Sequence, residues 1–406
     1  MVPSRTDLED LHSKQRWETA TARVAMIGAG QLARMTHQAA VDLGIELRVL
    51  AGSTDDSAVT AGAPYQLGSF TDIVDLEAVA GGADVVTFDH ELVPTSTLSL
   101  LQQRGYLLRP GPAALSLAQD KLKARQKLAR SGFPTPAFAS VSSISEVNNF
   151  AELHGWPVVL KTRRGGYDGR GVYVIENWKQ LPDFLRNECN KGNGNRELLV
   201  EQFVDITAEL SVLVARTSTG EVTTYPAVQT IQLDGILRYL LMPAPLPIHI
   251  LRKANEMAGS IANHIDATGI LAVEMFLTTS GQLLINELAL RPHNSGHATI
   301  EACITSQFHQ HLRAILDWPL GSTDMRVPAA AMVNLIGSDP ISEFHTNLPK
   351  ALSVPSVAVH LYGKIPRVHR KLGHVTATGE SIEEAFQRAA QAARYFNIFI
   401  QAHDTQ

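Results

Sequence analysis

Apolar positions from residue 23 to about residue 118 come in short runs separated by amphipathic stretches, the rhythm of strands alternating with helices. Strands are predicted at 24–27, 47–50 and 85–88, with a helix from 31 to about 43, so this region reads as a parallel α/β unit. A charged helix over 120–130 stops at Gly132, ahead of Pro134 and Pro136. Strands then dominate, at 158–161, 171–175, 198–204 and 209–215. Leu251, Ala254, Ala258, Ile261 and Ile265 recur at steps of three and four, which predicts a helix over 250–265. A β-hairpin follows, then a helix from about 298 to 316, and the tail from 326 mixes short strands with a final helix near 381–396. The predicted organisation is an extension (1–22), an α/β domain (23–118), a central α+β domain (119–325) with a flap over about 133–200, and a small, mostly β domain (326–406).

Composition narrows the function classes. With 45% hydrophobic and 18% charged residues, the 406-residue chain is globular and long enough for two or three domains. A net charge of −5 leaves no basic footprint, which argues against nucleic acid as a partner. No apolar run reaches the roughly 18 residues of a membrane span. The first 22 residues are polar without a signal-peptide core, and are expected to be a mobile extension. Cys189 and Cys303 form no CxxC pair, which excludes a disulfide framework or cysteine zinc knuckle and suits a reducing cytoplasm.

The chemistry concentrates in four stretches. In RVAMIGAGQLARM (23–35), Gly28-Ala29-Gly30 and Ala33 mimic a dinucleotide turn, but the second strand ends Val49-Leu50-Ala51-Gly52 without the acid that holds ribose hydroxyls. NAD is therefore not expected. The turn and helix start suit a phosphate, or serve packing alone. In VVLKTRRGGYDGRGVYV, a strand ends on Lys161 and a glycine loop leads into the next strand, offering amides and nearby cations to a polyphosphate. A glycine-rich turn with solvated arginines is the plain alternative.

In GILAVEMFLTTSGQLLINELALRPHNSGH, pairing Thr278 near Gln282 sets Glu274 opposite Asn286 or Glu287. Adjacent carboxylates in an apolar run repel unless a cation joins them, and these oxygens suit magnesium shared with phosphate. An exposed face with ordinary glutamates is the alternative. RPHNSGH leads into the predicted helix, so Arg291 and that N-terminus form a predicted anion site. Zinc is not expected from His293 and His297, which lack an HExxH arrangement. Finally, YGKIPRVHRKLGH gathers Lys364, Arg367, Arg370 and Lys371, a solvated loop or a receptor for a phosphorylated substrate.

From about residue 23 onward the motifs GAGQLARM, RRGGYDGRG, VEQFV, INELALRPHNSGH, NLIGS and RKLGH occur in the order found in the ATP-grasp ligases of purine biosynthesis. The chain resembles that family, and most closely its bicarbonate-fixing branch. The resemblance implies an ATP-grasp fold behind a Rossmann-like pre-ATP-grasp domain. It implies ATP, magnesium (or manganese) and bicarbonate as reaction components, 5-aminoimidazole ribonucleotide as acceptor, and a cytoplasmic homodimer.

The resemblance also assigns residues. For ATP it implies Lys121, Lys161, the flap Gly166, Tyr167, Asp168, Gly169, Arg170, Gly171 and Val172, the adenine hinge Glu201, Gln202, Phe203 and Val204, Glu209 for the ribose, and Gln232, Asn286 and Glu287. Glu274 and Glu287 match the metal carboxylates. The ribonucleotide would meet Gln31, Leu32, Glu91, Tyr167, Asn294, Lys364, Arg370 and Lys371. Asp168, Arg170, Arg291 and Lys371 match the catalytic set, with Asp168 accepting the amine's proton. The chain departs from the family at Leu92, at Gln232 where histidine is usual, at Leu290 and at Ala298. The competing readings are a formate-using glycinamide ribonucleotide transformylase, whose loop usually carries glutamate where Gln31 stands, and a nucleotide-binding regulator without catalysis.

Overall fold

The computed structural model describes residues 21–165, 171–181, 198–337 and 347–398. Residues 1–20 of the predicted extension and the flap calls at Gly166, Tyr167, Asp168, Gly169 and Arg170 lie outside the described residues.

β1 (Ala22–Ile27) starts within the predicted extension and is buried along nearly its whole length, as a central parallel strand requires. It pairs in parallel with β2 (Ile45–Ala51) and β4 (Val85–Phe88), and β2 pairs with the edge strand β3 (Tyr65–Leu67). The order β3-β2-β1-β4 reverses between β1 and β4, which opens a crevice beyond the strand C-termini. Four helices belong to this unit: α1 (Gln31–Asp42), α2 (Ile73–Ala80), α3 (Thr95–Gln103) and α4 (Pro112–Gln119).

Asp120 then caps α5 (Lys121–Arg130) by accepting from the Lys123 amide. An antiparallel sheet follows, made of β5 (Phe138–Val141), β6 (Val158–Thr162), β7 (Val172–Ile175) and β8 (Leu198–Gln202) in the order β5-β8-β6-β7. β8 stops two residues short of the predicted end at Val204. Its cover, α6 (Ile144–His154), is absent from the reading above, although Ser143 and Glu146 form a reciprocal capping box at its start.

The third sheet has nine strands: β9 (Ile206–Arg216), β10 (Val222–Thr224), β11 (Val228–Leu233), β12 (Ile236–Met242), β13 (Gly269–Thr278), β14 (Leu283–Ala289), β15 (Ala329–Ile336), β16 (Val357–Leu361) and β17 (Lys371–Gly379). Its path is β14-β13-β9-β11-β12-β15-β17-β16, with β10 on β9. α7 (Ile248–His264) buries Ala254, Ala258 and Ile261 against one face. The helix predicted over 298–316 is instead two, α8 (Thr299–Ala302) and α9 (Gln307–Ile315). Between them Cys303 bridges to Met325, and Ser306 starts the new helix by accepting from the His309 amide. Apolar spacing runs on across this break, so periodicity alone does not reveal it. α10 (Leu348–Leu352) and α11 (Ile382–Arg394), the latter capped by Ser381, complete the described chain.

Candidate active site

Strand alternation builds the first cluster. On the flap sheet Val159 pairs with Glu201 and Val174, while Lys161 pairs with Leu199 and Val172. Glu201, Val159, Lys161, Val172 and Val174 thus share one face. The Lys161 ammonium lies 2.7 Å from Glu201 Oε2 and 3.2 Å from Asn286 Oδ1. Arg125 donates through Nε to Glu201 Oε1 and through Nη2 to the Asn286 carbonyl at 2.6 Å. Burial alone would raise the Glu201 carboxyl, but the flanking guanidinium and ammonium outweigh it and hold it at about 2. Burial draws the Lys161 pKa down, with Glu201 opposing.

The Glu201 side chain, assigned by resemblance to the adenine hinge, is therefore committed to an ion-pair triad. Beyond it Gln202 and Phe203 are exposed and Val204 half-buried. Arg125 escaped the sequence reading, although it stands three residues from both Leu122 and Leu128, on the buried side of α5.

The predicted hairpin forms, with the Thr278 amide donating to the Gln282 carbonyl at 2.9 Å. Glu274 faces Glu287 rather than Asn286, and the register slips between Glu274 and Met275, leaving Asn286 as the extra residue. Pairing with β9 sets Glu209 and Ser211 on the same face as this carboxylate pair. Burial, then Glu287 and Glu209, push the Glu274 carboxyl up to about 8, against Lys121 and Lys371. Lys121 donates to Glu287 Oε1, and His293 Nε2 lies 3.7 Å from Glu274. Gln232, at the register shift where β12 carries Arg238 as an extra residue, donates to Glu209 Oε2 at 2.6 Å. Burial raises the Glu209 carboxyl, with Gln232 opposing.

Arg163 and Arg164, read as cations near a polyphosphate or as solvated, are held by a carboxylate of the protein. Arg163 Nη2 and Arg164 Nε reach Asp120 at 2.8 and 3.3 Å, tying the flap base to the start of α5. Gly171 closes the loop end: its carbonyl accepts from the Thr162 amide at 2.8 Å, and its φ of +77 brings it against the Thr162 side chain. Val172 and Val174 stay 37% and 47% exposed, a bare apolar strip on the side of Lys161.

The second cluster occupies the crevice of the parallel sheet. A cavity of about 610 Å³ extends over the ends of β1, β2 and β4, from Gly28 and Gln31 to Phe70 and Asp89. Asp89, buried and raised in pKa by that burial, accepts from the Gly30 amide at 2.6 Å. Gly28 has a φ of +104, and a Cβ there would sit 1.7 Å from Asp89 Oδ1. The inner side of the glycine turn is thus filled by the protein's own carboxylate, a residue the sequence reading missed. Gln31 and Leu32 open α1 beside it, and Gln31 Oε1 accepts from Lys364 Nζ at 2.5 Å.

Arg291 departs from expectation. Its Nε pairs with Glu91 at 2.8 Å, and only a 3-10 turn (Asn294–Gly296) and the short α8 follow it, so no long helix N-terminus adds to its charge. Burial lowers the Arg291 pKa but Glu91 outweighs it, for a net rise. Asn294 is half-buried, and its two side-chain amide atoms are inaccessible and unpartnered among the described residues. Arg370 Nη1 donates to the Ile365 carbonyl at 3.0 Å, and Lys371 begins β17.

Known proteins place this arrangement. Residues 21–119 match the ribonucleotide synthetase preATP-grasp domain, 126–308 the ATP-grasp domain, and 330–388 the phosphoribosylaminoimidazole carboxylase C-terminal domain. A protein of Mycobacterium tuberculosis called N5-carboxyaminoimidazole ribonucleotide synthase is 46% identical over 92% of this chain and 87% of its own. The chain belongs to the N5-carboxyaminoimidazole ribonucleotide synthase family. The Corynebacterium ammoniagenes member is 43% identical, covering 92% of each chain. The Aspergillus clavatus N5-carboxyaminoimidazole synthase, solved with ADP and 5-aminoimidazole ribonucleotide, superposes with a TM-score of 0.85 at 31% identity, over 94% of this chain and 99% of that one. In this member of the N5-carboxyaminoimidazole ribonucleotide synthase family, all three matched segments feed the second cluster: Gln31 and Glu91, then Arg291, then Lys364.

Proposed function

We propose that this chain carboxylates 5-aminoimidazole ribonucleotide in purine biosynthesis, as an ATP-dependent carboxylate–amine ligase using bicarbonate. One observation carries the reading: a phosphate-type site with facing carboxylates (Glu274–Glu287) and a cavity lined by Gln31 and Asp89, with Arg291 and Lys364 beside them, are joined by the segment from Arg291 to Asn294, in which Arg291 pairs with Glu91 and His293 approaches Glu274. Two anions have to meet there, and Lys121, Lys161 and Arg291 offset their repulsion.

A bicarbonate oxygen attacks the γ-phosphorus of ATP, ADP leaves, and carboxyphosphate forms. The ribonucleotide's amine then attacks the carbonyl carbon, phosphate departs, and the amine loses a proton. Asp168, outside the described residues, is assigned as its acceptor by resemblance, with Arg170 and Lys371 steadying the carboxylate. Closure of the flap would keep water from carboxyphosphate.

Magnesium fits the donor set. Among the described residues no cluster of three or more histidine, cysteine, aspartate or glutamate side chains forms a protein-only metal cage. The Glu274–Glu287 pair supplies two carboxylates, the number that leaves room for phosphate oxygens and water. Burial, then the neighbouring Glu287 and Glu209 carboxylates, raise the Glu274 pKa, and a cation there would relieve that repulsion. Bound magnesium would neutralise charge on the β- and γ-phosphates. The exposed valines of β7 and Phe203 suit a planar base. Cytoplasmic location is supported by a sequence with only two cysteines and no CxxC pair, and a homodimer by the family resemblance.

The test is phosphate release from ATP with bicarbonate and the ribonucleotide supplied together or withheld singly. Turnover should need both. Turnover indifferent to the ribonucleotide refutes the substrate, and support by formate with glycinamide ribonucleotide favours the transformylase.

A further inference from the structure

The loop between β16 and β17 hangs on one buried residue. Tyr362 is 1% exposed, and its backbone amide donates to the Leu372 carbonyl at 2.9 Å, closing the loop at its base. Its carbonyl accepts from Ser57 Oγ at 2.6 Å, across to the parallel-sheet domain. Its hydroxyl lies 2.7 Å from His374 Nδ1. Burial pushes the phenol pKa up and the imidazole pKa down, so this hydrogen bond joins two neutral groups.

His374 is the middle of a stack. His297 lies 4.7 Å away on one side and His360 4.5 Å on the other, with interplanar angles of 28° and 16°. His297 comes from the RPHNSGH segment, where Gln307 reaches both His297 Nδ1 at 3.2 Å and the His293 backbone. His360 is held by Glu301 of α8 at 2.7 Å. Across Tyr362 the next basic residue appears: Lys364 Nζ stands 5.5 Å from the centre of the Tyr362 ring and 2.5 Å from Gln31 Oε1. An ammonium over an aromatic face is held in place without its charge being neutralised.

We propose that Tyr362 is a positioning residue for phosphate recognition: its ring, fixed by His374 and the imidazole stack, presets the Lys364 ammonium over the crevice and locks the basic loop to the segment carrying Arg291 and Asn294. This rests on the ribonucleotide reading above and adds a residue that touches no substrate. A preset cation lowers the ordering cost of binding the phosphate, so the effect falls on the ribonucleotide and leaves ATP alone.

The test compares Tyr362→Leu with Tyr362→Phe by steady-state kinetics, varying each substrate in turn. Tyr362→Leu removes the ring under Lys364 and is expected to raise the ribonucleotide KM about tenfold, with the ATP KM within about twofold. Tyr362→Phe keeps the ring but releases His374, and about a threefold rise is expected. Equal effects on both KM values, or an unchanged ribonucleotide KM in both variants, overturn the proposal. Should Tyr362→Leu fail to fold, the KM split in Tyr362→Phe decides. Wild-type protein that does not turn over the ribonucleotide refutes the function instead, whatever the variants do.

Discussion

Replacing Glu201 by glutamine tests the electrostatic frame of the proposed nucleotide site. The carboxylate lies between Arg125 and Lys161, and all three side chains are under 10% exposed, so solvent screens them little. Its pKa falls from 4.5 to about 2. At about 1.4 kcal/mol per unit, the surroundings favour the ionised form by roughly 3 kcal/mol. Glutamine keeps the shape but strands two cations, and breaking a buried pair in this way costs about 3–5 kcal/mol. Lys161, whose pKa burial already depresses, would then lose the carboxylate that opposes that fall.

The sign follows from the depressed pKa. The contribution is complete above about pH 4.5 and is lost as the pH falls toward 2, so at pH 7 the variant shows the full deficit. Calorimetric unfolding and titration with ADP should give a melting temperature lower by several degrees and an affinity weaker by about tenfold or more. A variant as stable as wild type with unchanged ADP affinity refutes this reasoning. It would mean that Glu201 contributes only its backbone, as an adenine hinge would.

Three further outcomes are expected. Glu287→Gln should cut turnover by at least about a hundredfold while shifting the melting temperature by no more than about 2 °C, because its side chain is 42% exposed; near-wild-type activity sinks the metal assignment. His311, which links Thr87 to the Ile270 amide, is held neutral by burial, its pKa falling from 6.5 to about 3. Its stabilising share is therefore full above pH 6.5 and declines on acidification, by about 2 kcal/mol between pH 7 and 5. His311→Gln should take up about 0.9 fewer protons on unfolding at pH 5.5, read by calorimetry in buffers of different ionisation enthalpy; equal uptake contradicts the buried neutral imidazole. Burial, then Arg370, bring the Lys364 pKa from 10.5 to about 8, with Lys371 adding to them and Asp89 and Asp56 opposing. The ribonucleotide kcat/KM should thus fall above about pH 8, and a flat profile to pH 10 would contradict it.

What the chain declares locally, it declares well. The turn between Thr278 and Gln282 sets the hairpin register within a few residues, and that alone brings Glu274 to within one position of its partner. The remaining choice, Glu287 over Asn286, depends on a bulge that no alternation pattern encodes. Partners far apart in sequence stay hidden for a different reason: apolar spacing says which side of an element is buried but not what meets it there. Arg125 with Glu201, Asp89 with Gly30, and Tyr362 with His297 through His374 all join separate segments. Yet each such group leaves a trace. A charged residue at a helix's buried positions, like Arg125 between Leu122 and Leu128, must find a counter-charge, because an unpaired buried charge costs several kcal/mol, on the order of a domain's whole stability. Reading such a residue as half of an unseen pair predicts that an anion of the neighbouring strand points at α5. Glu201, the acid of VEQFV, is the anion that does so.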